Sequence, residues 1–330
     1  MNVMHIERPG LLTTFQDGGR RGFQKYGVPV GGPMDEWAYA LANALVGNAP
    51  DAAVLECTLT GPSLRFTENT LIALCGARMQ VSAAGVALPY DRAILLRRGT
   101  LLEVGPRQRG ARLYIAVRGV PRITPVLGSR STNLRAGFGG LDGRALAAGD
   151  TVEFAPVGDR LPIEMRMVQS ALPVLLAPAV GADSAPSEET TLRMVRGSHW
   201  AAFDAAAQSA LTANDFVMQA ESDRQGIRLQ GRSLGLRAPL EVVSEATVFG
   251  TVQVPPDGNP IVLMADRQSA GGYPKIATVA GVDLPALAQR VPGEALRFSN
   301  IEQDAAETLW LARCRKLAAL AEKAAQALGR

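Results

Sequence analysis

Two polar, glycine-rich stretches hold most of the side chains that could do chemistry. The first is Thr13–Asp35, TTFQDGGRRGFQKYGVPVGGPMD. It sets Gln16, Asp17, Arg20, Arg21, Gln24, Lys25, Tyr26 and Asp35 among glycines that include Gly31 and Gly32. Apolar residues are too sparse there for a core strand. Glycine tolerates positive φ and lets backbone amides approach an anionic group closely, and Arg20 can add a bidentate clamp. The competing reading is a long ordered surface loop. The second stretch is Thr251–Thr278, TVQVPPDGNPIVLMADRQSAGGYPKIAT. It predicts a hairpin, with Pro255–Gly258 as the turn and Ile261–Met264 as the return strand. That strand delivers Asp266, Arg267, Gln268, Gly271, Gly272, Tyr273 and Lys275 from its end. Asp266 and Lys275 have the chemistry for proton transfer or carboxylate binding. The competing reading is a hairpin end held by a surface ion pair of little energetic weight.

Other motifs fail on context. Gly231–Gly235 (GRSLG) matches the G-x-S-x-G nucleophile elbow, but that motif needs a following helix and a later histidine. Pro239 discourages the helix, and His5 and His199 both precede Ser233. With two histidines in the chain, histidine-rich metal sites are excluded, and neither H-E-x-x-H nor C-x-x-C occurs. His199 reads as a satisfied boundary histidine. There is no phosphate loop, no G-x-G-x-x-G fingerprint and no lysine between methionines, so no covalent biotin is expected on this chain.

The elements that must position these side chains are mostly short β-type runs. They include Leu71–Leu74, Arg92–Leu96, Leu101–Val104, Leu113–Val117, Val152–Phe154, Thr191–Val195, Phe216–Gln219, Leu240–Val243, Val248–Val254 and Ile261–Met264, separated by Gly, Pro, Asp or Asn. This spacing predicts barrels or sandwiches. Three helices are expected. One runs from Met34 with Pro33 at its first position and Gly47 as its stop. One starts near Ser198 with Trp200, Phe203, Ala207 and Leu211 inward. The third is the C-terminal tail, with Ser299 and Glu302 at capping-box spacing and a stripe of Leu317, Leu320, Ala324 and Leu328. Between Ala155 and Ser187 the pattern loosens, as a connection between domains would. The expected organisation is an N-terminal domain over 1–185 and a C-terminal domain over 186–330.

Length and composition suit this. The 330 residues are 47% apolar and 20% charged, with a net charge of +3. That is globular composition with enough chain for two cores, and too even in charge to suggest nucleic acid or an electrostatic membrane anchor. No secretory signal or membrane-length apolar run is visible, so a cytoplasmic protein is expected. Cys57, Cys75 and Cys314 are odd in number and far apart, which reads as buried thiols.

On its motifs the sequence resembles the allophanate hydrolase subunit 2 family, also called the carboxyltransferase A and B domain family. They are PGLLTTFQDGGRRGFQKYGVPVGGPMD at Pro9–Asp35, ALANALVGN at Ala40–Asn48, LECTLTGPSLRF at Leu55–Phe66 and LGSRST at Leu127–Thr132. GGLDGRALAAGD at Gly139–Asp150, SDRQGIRLQG at Ser222–Gly231 and the segment Gly250–Val279 complete the series. They run in order along nearly the whole chain. Asp223 and Gln225 depart from the expected asparagine-like residue and methionine. The resemblance implies a mainly β chain of two cyclophilin-like β-barrel domains, with a few amphipathic helices and a C-terminal helix. It implies one component of an ATP-dependent lactam hydrolase, opening 5-oxoproline to glutamate, with ATP and Mg at the level of the complex. Two partners are implied. One is an allophanate hydrolase subunit 1-like protein, which is the B component of 5-oxoprolinase or KipI-like. The other is the lactam-utilisation-type A component. The family also contains urea amidolyase carboxyltransferase parts and a KipI antagonist. The alternatives are therefore a binding protein or a biotin-dependent carboxyltransferase subunit. On the lactam reading, Lys275 and Arg267 stabilise charge, and Asp266 orients them or takes a proton. Gln16, Asp17 and Arg20 line an opposite wall, and Gly31, Gly32, Asp35, Gln268, Gly271, Gly272 and Tyr273 complete the binding set.

Overall fold

The computed structural model describes residues 1–159 and 161–329, without the side chains at 165, 166, 168 and 169. The chain forms two compact units, each discontinuous in sequence. The first comprises Met1–Gly19, Asp35–Pro186 and Arg315–Arg330, and the second Arg20–Met34 and Ser187–Cys314. Helices α1 (Glu36–Val46), α2 (Pro162–Gln169), α3 (Ala205–Ala213), α4 (Leu284–Ala288) and α5 (Gln303–Ala327) accompany a predominantly β architecture, as expected. Among the described residues no helix is long and apolar enough to cross a membrane.

An 11-stranded branched sheet builds the first unit. Its spine is two long antiparallel strands, Thr70–Ala83 and Leu101–Val117, paired from Ile72↔Val117 to Ala83↔Leu102. Side chains alternate across a strand, and here both faces are apolar. Ile72, Leu74, Ile94, Leu113 and Ile115 enter one core, with Phe15, Leu55 and Phe154. Their neighbours Leu71, Ala73, Cys75, Leu95 and Tyr114 enter a second, against Leu41 and Leu45 of α1, Ile163 of α2 and Leu320 and Ala324 of α5. The sequence reads Leu101–Val104 and Leu113–Val117 as separate runs; the structure joins them. Register shifts between Gly76 and Val81 absorb the irregular residues between. The presumed connection Ala155–Ser187 also carries structure, namely α2 and a strand, Val174–Leu176, that pairs with Ala93–Leu96.

The second unit is a closed seven-stranded barrel. Around the ring lie Thr191–Arg196, Lys275–Val279, Thr251–Gln253, Ile261–Leu263, Gly226–Gln230, Phe216–Met218 and Ala295–Asn300. Closure is parallel, Ala295–Asn300 beside Thr191–Arg196, and every other neighbour is antiparallel. Leu192, Phe216, Ile227, Val252, Val262, Ile276 and Phe298 fill the interior, joined by Phe203 and Leu211. The predicted hairpin forms, with Val252 opposite Val262 and Gly258 N–H donating to Pro255 O (2.9 Å).

Helix boundaries depart from expectation for local reasons. Asp35, not Pro33, begins α1: its carboxylate accepts from Ala38 N–H (2.9 Å), and Gly47 ends the helix in the left-handed conformation. Met34 lies outside the helix and is buried in the core of the second unit. Ser198 precedes a short 3₁₀ turn at Trp200–Ala202, and Asp204 caps α3 by accepting from Ala207 N–H (2.7 Å). Ser299 stays in a strand, held by its pairing with Arg193, so α5 starts at Gln303. Leu240–Val243 finds no partner strand among the described residues, and Val243 is 87% exposed. Cys57 and Cys75 are buried, whereas Cys314 is exposed.

Candidate functional site

In the first unit, Gln16 ends the Leu12–Gln16 strand and Asp17 follows it, and both are buried. Asp17 accepts from Ser129 Oγ (2.5 Å), Ser131 Oγ (2.7 Å) and Gly19 N–H (3.0 Å), and also from the Arg130 amide. Gln16 Nε2 donates to Thr14 Oγ1 (3.0 Å) and Thr132 O (3.2 Å). The LGSRST stretch is thus folded around these two side chains. Asp35 caps α1, and its N–H donates to Tyr114 Oη (2.8 Å), which in turn donates to Glu56 (2.7 Å). Burial drives the Tyr114 phenol well above its usual range, and the nearby Glu56 and Asp35 charges add to this.

The second unit gathers the remaining candidates. Its Arg20–Met34 segment is a polar loop in which Arg20, itself buried, donates its N–H to Val30 O (2.8 Å). Gly31 and Gly32 take φ of 68° and 90°, a region that disfavours side chains. Those dihedrals present Gly32 O to the Arg224 guanidinium, whose Nη2 donates to it at 2.6 Å. The same guanidinium grips Asp266 in a fork, Nε to Oδ2 at 2.9 Å and Nη2 to Oδ1 at 3.1 Å. Arg224 therefore brings the Gly31–Gly32 loop and Asp266 together. Arg267 donates to Met264 O (3.2 Å) and lies 5.6 Å from the Phe249 ring centroid. Asp223 Oδ1 accepts from the Gln225 and Gly226 amides (2.7 and 3.1 Å), a turn that an asparagine oxygen would make equally well.

The loop after Asp266 is zipped to a neighbouring segment. Glu245–Ala246 pairs with Ala270–Gly271, and Thr247 N–H donates to Ser269 O (3.1 Å). Lys275, buried at the start of its strand, donates from Nζ to Glu245 Oε1 (2.7 Å) and to Gly271 O (3.3 Å). That ammonium holds the Glu245 carboxyl below its usual range. His199 Nδ1 accepts from Lys275 N–H (3.2 Å) and lies 3.6 Å from Glu245. Gly197 makes this packing possible, because a Cβ there would sit 2.4 Å from Lys275 O. Gln268, Gly272 and Tyr273 are exposed at the rim. Lys275 is among the residues lining a groove of ≈ 660 Å³, with Ser198, Thr251, Thr278, Trp310 and Leu311. A mostly buried lysine, hydroxyl donors and an indole wall suit a small polar ligand with an apolar edge. Among the described residues no group of three or more His, Cys, Asp and Glu is placed to hold a metal ion.

Sequence reasoning passed over Arg224, Glu245 and Gln253. Arg224 lies in a family motif, SDRQGIRLQG, and an arginine in an otherwise turn-like run was the signal available. Glu245 sits in an undistinguished EVVSEAT run, and only its strand pairing reveals it. His199 reads from sequence as a boundary residue, which its packing against Lys275 partly supports.

Comparison with known proteins follows the same outline. The carboxyltransferase domain, subdomain A and B, matches residues 26–300. The chain is 36% identical over 295 residues to the C subunit of 5-oxoprolinase from Haemophilus influenzae, covering 89% of this chain and 90% of that protein. It is 36% identical over 298 residues to the C subunit of 5-oxoprolinase from Escherichia coli, covering 90% of each. Among solved structures, K. lactis urea amidolyase superposes with a TM-score of 0.84 and 26% identity over 96% of this chain, which spans 20% of that larger protein.

Proposed function

Because the chain belongs to the carboxyltransferase domain, subdomain A and B, family, we propose that it is one subunit of an ATP-dependent 5-oxoprolinase. On this reading it opens 5-oxo-L-proline to L-glutamate together with an allophanate hydrolase subunit 1-like partner and a lactam-utilisation-type partner. The observation that carries the proposal is the 36% identity to two bacterial subunits of that name, spanning nine-tenths of both partners in each comparison.

The chemistry fits the second unit. A lactam is a stable amide, and attack on its carbonyl builds negative charge on oxygen. Fixed donors near that oxygen lower the barrier. Lys275, Ser198, Thr251 and Thr278 supply donors along one groove. Asp266, gripped by Arg224, fixes the loop that leads to Lys275. A triphosphate does not fit these residues, because Arg224 and Lys275 are each already matched by a carboxylate, Asp266 and Glu245. Nucleotide and magnesium binding are accordingly assigned to the assembled complex, and no covalent biotin is assigned to this chain.

The test is turnover by the purified complex with 5-oxo-L-proline or urea, with and without avidin. ATP-dependent glutamate release that avidin leaves unchanged supports the proposal, and a complex that forms no glutamate from 5-oxo-L-proline refutes it. Lys275→Ala is expected to lower the rate of ring opening; a normal rate would remove Lys275 from the mechanism. The superposition on K. lactis urea amidolyase favours a second reading, a carboxyltransferase component, and avidin-sensitive use of urea would establish it. A partner that co-purifies without turnover of either substrate would point to a binding protein instead.

A further inference from the structure

We infer that the side-chain amides of Gln253 and Gln268 form a neutral donor pair over Gly271 for a carbonyl oxygen of the substrate, a site that rests on the lactam-opening reading and deepens it. Gln253 lies on the Thr251–Gln253 strand, directly across from Lys275 in the barrel ladder. It is 2% exposed, and its Nε2 has no hydrogen-bond partner among the described residues. A buried amide N–H left without an acceptor is costly, by more than a hydrogen bond usually returns. Gly271 is what lets the two amides come this close. A Cβ added there would lie 2.5 Å from Gln253 Nε2 and 2.9 Å from Gln268 Nε2. Two amide nitrogens thus face the same side-chain-free α-carbon, one from the buried floor and one from the exposed rim. Two donors cannot satisfy each other, whereas one acceptor oxygen can satisfy both.

The chemistry of the pair selects the acceptor. Both donors are uncharged, and Lys275, opposite Gln253 in the ladder, is already matched by Glu245 at 2.7 Å. A buried carboxylate would lose its hydration without gaining a counter-charge. A carbonyl oxygen costs less to desolvate, and it strengthens as an acceptor when negative charge develops on it. The class of ligand is therefore a small cyclic amide, held by its carbonyl.

The experiment is calorimetric titration of 5-oxo-L-proline, 2-pyrrolidinone and L-proline into the full chain, alone and with its co-purified partners. 2-Pyrrolidinone carries the ring carbonyl without the carboxylate, and L-proline the reverse. Both lactams are expected to bind, and Gln253→Leu and Gln268→Ala are each expected to weaken them about tenfold, as for one lost hydrogen bond. L-Proline is expected to be indifferent to both substitutions. Gln268 is exposed, so its truncation keeps the test open even where Gln253→Leu lowers the melting temperature. Lactam affinities unchanged in both variants, no lactam binding in either preparation, or an equal loss for L-proline would each overturn the inference. A complex that opens 5-oxo-L-proline with KM unaltered by either substitution removes the amide pair and leaves the proposed function standing. Gln253-dependent binding of 2-pyrrolidinone to a complex that opens no lactam does the opposite.

Discussion

Cutting the Arg224–Asp266 link is expected to cost more than either residue's exposure suggests. The two side chains are 10% and 8% exposed, and the contact is a fork of 2.9 and 3.1 Å. Arg224 Nη2 also holds Gly32 O at 2.6 Å. Asp266→Ala leaves a buried guanidinium without its counter-ion, and Arg224→Met leaves a buried carboxylate; either change is expected to cost about 3–5 kcal/mol. The double variant Arg224→Met with Asp266→Leu buries no charge and loses mainly the Gly32 carbonyl's partner, about 1–3 kcal/mol. The double-mutant cycle should therefore show a coupling of at least about 3 kcal/mol. Urea unfolding at pH 7 measures it, followed by the fluorescence of Trp200 and Trp310 in a Trp37→Phe background. Hydrogen exchange over residues 20–34 should quicken in Arg224→Met, since that loop loses its clamp. Single variants within about 1 kcal/mol of wild type and additive in the double would refute the reasoning, and would mean that this ion pair is no better than a solvated one.

Three further outcomes are expected. Burial pushes the Cys57 thiol up to about 12, a Thr13 hydrogen bond opposes this and Glu56 adds to it; Cys75 is driven well up by burial too. At pH 8 a thiol-specific reagent should modify exposed Cys314 quickly, and Cys57 and Cys75 only after denaturation; mass spectrometry of the labelled native chain checks this. Lys275 holds the Glu245 carboxyl low, so the contribution of that pair is present above the ordinary carboxylate value of 4.5 and is lost as pH falls through the lower folded value. Glu245 is exposed, so the effect is screened by salt, and urea midpoints of wild type and Glu245→Gln should converge between pH 7 and pH 3. Gly197→Ala places a methyl 2.4 Å from Lys275 O and is expected to destabilise by about 1–3 kcal/mol through displacement of that strand; an unchanged melting temperature would contradict the close packing.

Local chemistry made some of this architecture legible. The Thr251–Leu263 hairpin follows from alternation broken by a Pro-Pro-Asp-Gly turn, and α1 ends where Gly47 supplies a left-handed cap. The start of α1 is ambiguous in sequence because Pro33 and Asp35 both suit a helix entrance, and the Asp35 side chain decides between them through Ala38 N–H. Leu240–Val243 has strand composition, but a strand exists only with a partner, and pairing is not written in the run itself. The same holds for the site. Polar residues between glycines marked Gly31–Gly32 and Asp266 as unusual, yet the guanidinium joining them lies 192 residues beyond Gly32. The approach of the Gln253 and Gln268 amides to Gly271 is likewise a contact between separate segments, which no local pattern encodes.

The placement of Arg20–Met34 in the second unit orders events during synthesis. Arg224 leaves the ribosome 192 residues after Gly32, a wait of roughly 10–40 s at translation speeds of about 5–20 residues per second. Through that interval the loop must stay unpaired without sticking to other nascent segments, a demand that its glycines and charged side chains meet and an apolar strand would not. A fragment beginning at Ser187 would never receive it and would leave the Arg224 fork one acceptor short.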